Sequence, residues 1–378
     1  MSDQQPVIVS AVRTAQGKKG GVYADVSSEK LSVPLVNELL DRTGIDPADV
    51  DDVAWGLAKQ VKEQSHNIGR VIALLSDLGE EVPGRTIDRL CSSSAQAIAD
   101  ASNAIRAGQQ EVVVAGGVEN MTRVERSTTI GVYEGIAEKY DVEKLAMGQT
   151  AETVAERYDI SRERQDAYGA RSQQRAVEAT EEGRFDDEIV PIDTGEQVVD
   201  TDEGLRPGTT KEKIAELPPA FREDGTVTAA NASQISDGAA AVMLTSRAYA
   251  EDHGIEILAE VGDYEVAGVD PRVMGIGPVP AVRGLAERTG HSTDDYDLVE
   301  LNEAFASQTL YCQDELGFDD DVFNVNGGAI AIGHPLGASG ARLPVTLIHE
   351  LRRRGGGLGL ATMCVGYGQG VATEFRVH

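Results

Sequence analysis

Short apolar runs alternate with amphipathic stretches from the first residues onward. Val7–Ala11 reads as a strand, Ser28–Arg42 as a helix capped by Ser27 or Ser28 and stopped at Gly44, and Val53–Leu57 as the next strand. Ser65–Leu78 follows as a helix, and Thr86–Leu90 is a strand that runs into Cys91-Ser-Ser-Ser94. Ala95–Ala107 is an alanine-rich helix ended by Gly108, and Glu111–Ala115 is a continuous apolar strand of the kind buried on both faces. Repeated strand–helix alternation predicts an α/β fold.

The rhythm breaks in the middle of the chain. From about Met121 to Gln234 the pattern becomes long charged helices, notably Ser161–Glu182, joined by Pro/Gly/Thr-rich stretches such as Leu205–Thr210 and Leu217–Ala220. Strands resume at Ala239–Leu244 and Ile257–Val266. The last hundred residues then echo the first: a strand (Phe323–Asn326), a small-residue stretch, a helix (Gly340–Arg353) and a strand (Gly359–Met363). Two related halves with an insertion is the organisation this predicts: residues 1–120 with 236–255, an inserted domain over 121–235, and residues 256–378. A site between such halves lies at the C-terminal ends of strands.

Composition narrows the partners. The chain is 41% hydrophobic and 26% charged, which is globular, and carries Asp+Glu 63 against Lys+Arg 34, a net charge of -29. Such a surface is a poor partner for nucleic acid or an anionic membrane. It suits high cytoplasmic salt, where self-repulsion is screened; an ordinary acidic soluble protein is the plainer alternative. No apolar run is long enough to span a bilayer, and the first residues lack a basic region and apolar core, so secretion is not expected. Three cysteines without a Cys-x-x-Cys pair argue against a disulfide framework or a structural zinc, and fit a reduced cytoplasm.

Candidate chemistry gathers at four places. Cys91 stands where a strand passes into a helix, and helix amides favour a thiolate there; an inert buried thiol is the alternative. His334 sits between Gly333 and Pro335 inside a run from Asn324 to Gly340 that spends five glycines around one imidazole. That spacing clears room for a ligand, and the helix beginning near Ala338 is expected to offer free amides to an anion. Cys364, before Val-Gly366, is a second thiol at a strand end. Asn302, after the strand Asp297–Leu301, either caps the next helix or positions a water.

Taken in order, Leu90-Cys91-Ser-Ser, Asn302-Glu-Ala-Phe-Ala, Asn326-Gly-Gly-Ala-Ile-Ala-Ile-Gly-His334-Pro and Cys364-Val-Gly366 resemble the four active-site motifs of the thiolases, and the likeness extends over essentially the whole chain. The resemblance implies a thiolase fold: two βαβαβαββ halves in a five-layer α-β-α-β-α core, with a loop domain that shapes a coenzyme A tunnel. It implies ping-pong acyl transfer. Cys91 forms the acyl-enzyme, and His334 activates it and makes one oxyanion hole with a water held by Asn302. The amides of Cys91 and Gly366 form the other hole, and Cys364 is the acid/base. Arg206 and Ser233 would meet the nucleotide and pantetheine, although Arg206 also reads as a solvated charge. Met147, Met274 and Phe305 would line the acyl pocket or simply be core. No metal or cofactor is implied, since coenzyme A is a substrate. Partners would be acyl-CoA and CoA, a homodimer or homotetramer, and, by likeness to some archaeal members, a small OB-fold subunit.

The chain departs from the family pattern at Asp88 (usually Asn), Ser94 and Tyr367 (usually Gly), Gln234 (usually Gly) and Ala146 (often His). Of these, Gln234 is expected to narrow the pantetheine channel and Tyr367 to reshape the acyl pocket. Two other readings remain at this point. A ketoacyl-synthase-type condensing enzyme is disfavoured by Cys364, where histidine would stand. A non-catalytic acyl-CoA scaffold is disfavoured by the joint presence of Cys91, His334 and Cys364.

Overall fold

Long apolar strands that bury both faces must lie between layers of helices, and the computed structural model, which describes residues 3–124 and 133–378, arranges them that way. Strands β1 (Pro6–Thr14), β2 (Asp52–Gly56), β3 (Gly84–Ile87), β4 (Val112–Asn120) and β5 (Ser236–Ser246) form one half-sheet in the order β1-β5-β4-β2-β3. The pairings run antiparallel, antiparallel, parallel, parallel. Strands β6 (Ala259–Gly268), β7 (Leu298–Leu301), β8 (Gly357–Val365) and β9 (Gln369–Val377) repeat the scheme as β6-β9-β8-β7, antiparallel, antiparallel, parallel. β1 pairs with β6, so the two half-sheets are continuous.

The position of β3 in the second half is taken by a single parallel bridge, Val299 to Phe323. The strand expected over Phe323–Asn326 is therefore not formed. Asn324 turns into the left-handed region (φ 45), and its side chain caps the edge of β7 by bonding Leu301 N (2.8 Å) and Leu301 O (2.9 Å).

Helices α1 (Ser28–Thr43) and α2 (Ile68–Leu75) cover the outer face of the first half-sheet. Helix α3 (Ser93–Arg106) lies at the centre, and α4 (Met147–Arg157) and α5 (Arg162–Glu181) lie in the stretch between β4 and β5. Helices α6 (Pro278–Thr289) and α7 (Ala306–Leu316) cover the second half-sheet, and α8 (Leu336–Arg354) packs on α3 in the middle layer. The result is the five-layer α-β-α-β-α order. Tyr168 of α5 joins the core of the second half. α2 is shorter than its apolar pattern, because Lys62, His66 and Asn67 all adopt positive φ ahead of it.

The middle layer closes with almost no spacing. A methyl at Gly340 on α8 would strike the Ala95 backbone, one at Gly56 would strike the backbone of Ser94, and one at Gly117 would strike Gly337 O. Ser94 Oγ accepts from Ala341 N at 2.8 Å, which ties α3 to α8. Among the described residues no helix is long and apolar enough to cross a membrane.

Candidate active site

The chain leaves β3 at Ile87 and enters α3 at Ser93 through one tight turn, Leu90–Ser92. Leu90 carries φ 50, a left-handed conformation that costs a branched side chain about 1–2 kcal/mol. Local bonds hold it: Leu90 N donates to Asp88 Oδ1 (2.8 Å), and Ser93 Oγ donates to Leu90 O (2.6 Å). The turn presents half-buried Cys91 at the mouth of α3. Asp88 supplies the acceptor oxygen that an asparagine would supply, so that departure leaves the turn intact.

Cys364, near the end of β8, is 2% exposed. Burial, and then the nearby Cys91 sulfur, push its thiol well up, so it rests protonated. Behind it lies Cys312 on α7, also pushed up by burial and by Cys364. A methyl on Gly366 would sit 3.0 Å from Leu90 Cδ1, which brings this glycine to the Cys91 turn.

His334 is 6% exposed. Its Nδ1 lies 2.6 Å from Ser339 Oγ, and that hydroxyl donates to Pro335 O at 2.8 Å. A carbonyl only accepts, so the serine proton points there and Nδ1 must donate. This assigns the tautomer: Nε2 bears the lone pair. Asn302 Nδ2 is 3.3 Å from Nε2, and Asn302 Oδ1 is buried with no partner among the described residues. Asn302 is not a helix cap, because α7 begins at Ala306 with Phe305 in the cap position. The backbone before the imidazole needs glycine, since Gly333 has φ 123 and a methyl there would strike Ser236.

The amides at the start of α8 are not free for a ligand, contrary to expectation. Gly337 N donates to Glu119 Oε2 (2.9 Å), Ala338 N and Ser339 N donate to Pro335 O (3.1 and 3.0 Å), and Ala341 N donates to Ser94. Glu119 also accepts from Ala58 N (2.9 Å) and Gln64 Nε2 (2.8 Å), so one buried carboxylate at the end of β4 grips both halves.

Met147, Met274 and Phe305 meet in one apolar cluster that includes Cys364 and Ala304. Phe221 stands edge-on to Phe305 at 6.1 Å. Arg206 lines a cleft of about 270 Å³ together with Gln173, Lys213, Ala230 and Ile330. Ser233 is not in that lining. Its N–H donates to Ala304 O (2.9 Å), on the segment that passes from Ala230 in the cleft to Ala232 in the apolar cluster. Gln234 Nε2 contacts Gly204 O (3.0 Å) and Ala331 O (2.8 Å), and its backbone carbonyl accepts from His334 N (3.2 Å). Tyr367 holds φ 62 and is 37% exposed, while Ala146 heads α4.

Comparison with known proteins matches the thiolase N-terminal domain over residues 6–248 and the thiolase C-terminal domain over residues 255–377. The chain belongs to the thiolase family. Relatives include the 3-ketoacyl-CoA thiolase of Aliivibrio fischeri, 45% identical with 98% of each chain covered, and the acetyl-CoA acetyltransferase of Pseudomonas aeruginosa, 46% identical with 98% of each covered. Among solved structures, the Bacillus anthracis acetyl-CoA acetyltransferase is 43% identical, covers 99% of each chain and superposes with a TM-score of 0.92. The dimeric peroxisomal thiolase of Saccharomyces cerevisiae is 37% identical, covers 100% of this chain and 98% of its own, and has a TM-score of 0.93.

For this thiolase, sequence reasoning passed over three residues. Ser339 sets the tautomer of His334, Glu119 spans the halves, and Glu303 lies buried behind Asn302. Ser339 is five residues from His334, about the reach of one helical turn, and that spacing was the available signal. The donors around Glu119 and Glu303 come from distant segments and left no local signature.

Proposed function

We propose that this thiolase-family acyltransferase interconverts 3-ketoacyl-CoA and CoA with acetyl-CoA and a shortened acyl-CoA through an acyl group carried on Cys91. In thiolysis the Cys91 sulfur attacks the C3 carbonyl carbon, the C2–C3 bond breaks, and the departing enolate of acetyl-CoA takes the proton of Cys364. The CoA thiol then gives its proton to Cys364 and attacks the acyl-cysteine, which frees Cys91. His334 accepts the Cys91 proton at Nε2. With a water on Asn302 it donates to the enolate oxygen, while the amides of Cys91 and Gly366 serve the acyl-cysteine oxygen. The buried neutral state of Cys364 supports its part as acid. Every step uses side chains and amides of this chain, with coenzyme A as substrate and no resident metal or redox group. Arg206 and Lys213 would meet the nucleotide of CoA in the cleft, and Ser233 its pantetheine; Met147, Met274 and Phe305 would bound the acyl group.

The observation that carries the reading is geometric: Gly366, two residues after Cys364, approaches Leu90 of the Cys91 turn across the two halves (3.0 Å from a methyl placed on the glycine), and within the second half Asn302 faces His334 Nε2 at 3.3 Å. The test is loss of ketone absorbance when the pure chain meets acetoacetyl-CoA and CoA in high salt, with peptide mass spectrometry of Cys91. An acetyl adduct that disappears on adding CoA is expected. Turnover without any adduct at Cys91 would sink the assignment. Binding of CoA with no turnover would favour the scaffold reading, unless a co-purified small subunit restores activity.

Three further points belong to the same reading. The net charge of -29 supports adaptation to a saline cytoplasm, tested by activity and melting temperature rising together with KCl. The similarity to a dimeric yeast enzyme supports a homodimer or a homotetramer, to be measured by light scattering. Chain length remains to be read from kinetics on 3-ketoacyl-CoAs of increasing size.

A further inference from the structure

Glu303 is 1% exposed and has no ion pair among the described residues. A buried carboxylate is costly unless donors surround it. Here four do. Tyr168 Oη (2.8 Å) and Asn324 Nδ2 (3.2 Å) donate to Oε1; Ser172 Oγ (2.6 Å) and Ile330 N (3.1 Å) donate to Oε2. Tyr168 and Ser172 sit on α5, whereas Asn324 and Ile330 flank the glycine turn that leads to His334. Gly328 lies so close that a methyl there would collide with the carboxylate.

This knot touches both ends of the site. On one side, Ile330 lines the cleft, its carbonyl takes Gln234 Nε2 (3.2 Å), and Gln173, next to Ser172, accepts from Arg206 N (2.9 Å). On the other side, Glu303 follows Asn302, whose amide faces His334, and Gln234 receives the His334 N–H. A ligand in the cleft would touch Ile330 and Gln173, which line it and are bonded within one or two links of Glu303.

We propose that Glu303 is a positioning residue that couples occupation of the Arg206 cleft to the placement of the His334–Asn302 pair. The proposal rests on the reading of that cleft as the nucleotide site. Losing it lets the glycine turn and Asn302 drift apart from α5, and a displacement of about 1 Å at a reacting group costs roughly 100-fold in rate. Glu303→Gln is the conservative variant. Its carbonyl can keep Ser172 and Ile330 N, because the other side holds the weaker 3.2 Å contact and a tyrosine hydroxyl that can reverse.

The experiment uses the full chain in its native oligomer. In Glu303→Ala, kcat for thiolysis should fall roughly 100-fold while KM for CoA stays within about twofold, and Glu303→Gln should recover most of the rate. The second readout is alkylation of Cys91 by iodoacetamide with adenosine 3′,5′-bisphosphate as probe, which fills the nucleotide end and carries no thiol. Wild type should change its alkylation rate measurably when the bisphosphate binds, and Glu303→Ala should lose that response while still binding the probe. If Glu303→Ala does not fold, the Tyr168→Phe/Ser172→Ala double variant removes two donors, keeps the carboxylate and is read the same way. Wild-type indifference to the probe, or a variant with wild-type kcat and response, overturns the coupling. Absence of any acyl adduct on wild-type Cys91 would instead sink the function reading, so the two failures are distinguishable.

Discussion

Ser339→Ala removes a hydroxyl that does two things at once. It deprives His334 Nδ1–H of its acceptor at 2.6 Å and takes one contact (2.8 Å) from Pro335 O, which still accepts from Ala338 N and Ser339 N (3.1 and 3.0 Å). His334 is 6% exposed and Ser339 1%, so water reaches neither group easily. Leaving the buried Nδ1–H unmet costs about 1–3 kcal/mol of stability. The catalytic effect is separate. Without the serine, the imidazole is free to carry its proton on Nε2, where it can no longer accept from Cys91. A misassigned tautomer of this kind is expected to lower kcat roughly 100-fold, close to 2.7 kcal/mol at 1.36 kcal/mol per decade, with KM for CoA nearly unchanged. The control is Ser32→Ala, which removes a buried hydroxyl bonded to Ser28 O at 2.8 Å on α1, on the outer face of the first half-sheet. Both variants should melt earlier by similar amounts in high salt, and only Ser339→Ala should lose thiolysis of acetoacetyl-CoA. If the two variants lose kcat equally, or if Ser339→Ala stays within about threefold of wild type, the hydroxyl does not set the proton and the assignment of Nε2 as acceptor fails.

Three other outcomes follow from the packing and charge described above. Burial raises the Glu119 carboxyl to about 7 from the ordinary 4.5, so the folded state holds that proton more tightly than the unfolded one. The stability it contributes is complete below about 4.5 and is lost as pH rises through about 7; thermal melts should fall across that window and flatten in Glu119→Gln. Gly340→Ala drives a methyl into the Ala95 backbone, where no flexible side chain can yield, and should cost about 1–3 kcal/mol or more while depressing activity beyond what Tm predicts. Arg206→Ala should raise KM for CoA severalfold with little change in kcat, and should leave a truncated thioester lacking the nucleotide unaffected; equal losses on both substrates would remove Arg206 from the cleft role.

Periodicity carried much of this architecture. Alternating runs gave β1, α1, β2, α3 and β4 to within a few residues, because strands buried on both faces and capped amphipathic helices leave signals within a single segment. The glycines around His334 are legible for the same reason, and the structure brings that imidazole to Asn302. What failed was whatever depends on residues far apart in sequence. The amides of α8 looked free from the local pattern, yet Glu119 on another strand takes one of them. The carbonyls at positions 204 and 331 that hold the Gln234 side chain also lie beyond its local pattern. Asn324 reads as strand by its apolar neighbours, but its amide finds Leu301 and the backbone turns left-handed instead.

The contact of α3 on α8 has one more consequence. Cys91 precedes the first helix and Ser339 lies in the first turn of the second, so the gap between sulfur and imidazole is ruled by how closely two central rods lie, with glycine on one side and alanine on the other. Loops can drift, and the surface can gather acid, without altering that gap. A bulkier residue on either rod has to be met by a smaller one on its neighbour, so the two duplicated halves are bound to change together along this line and are free to diverge elsewhere.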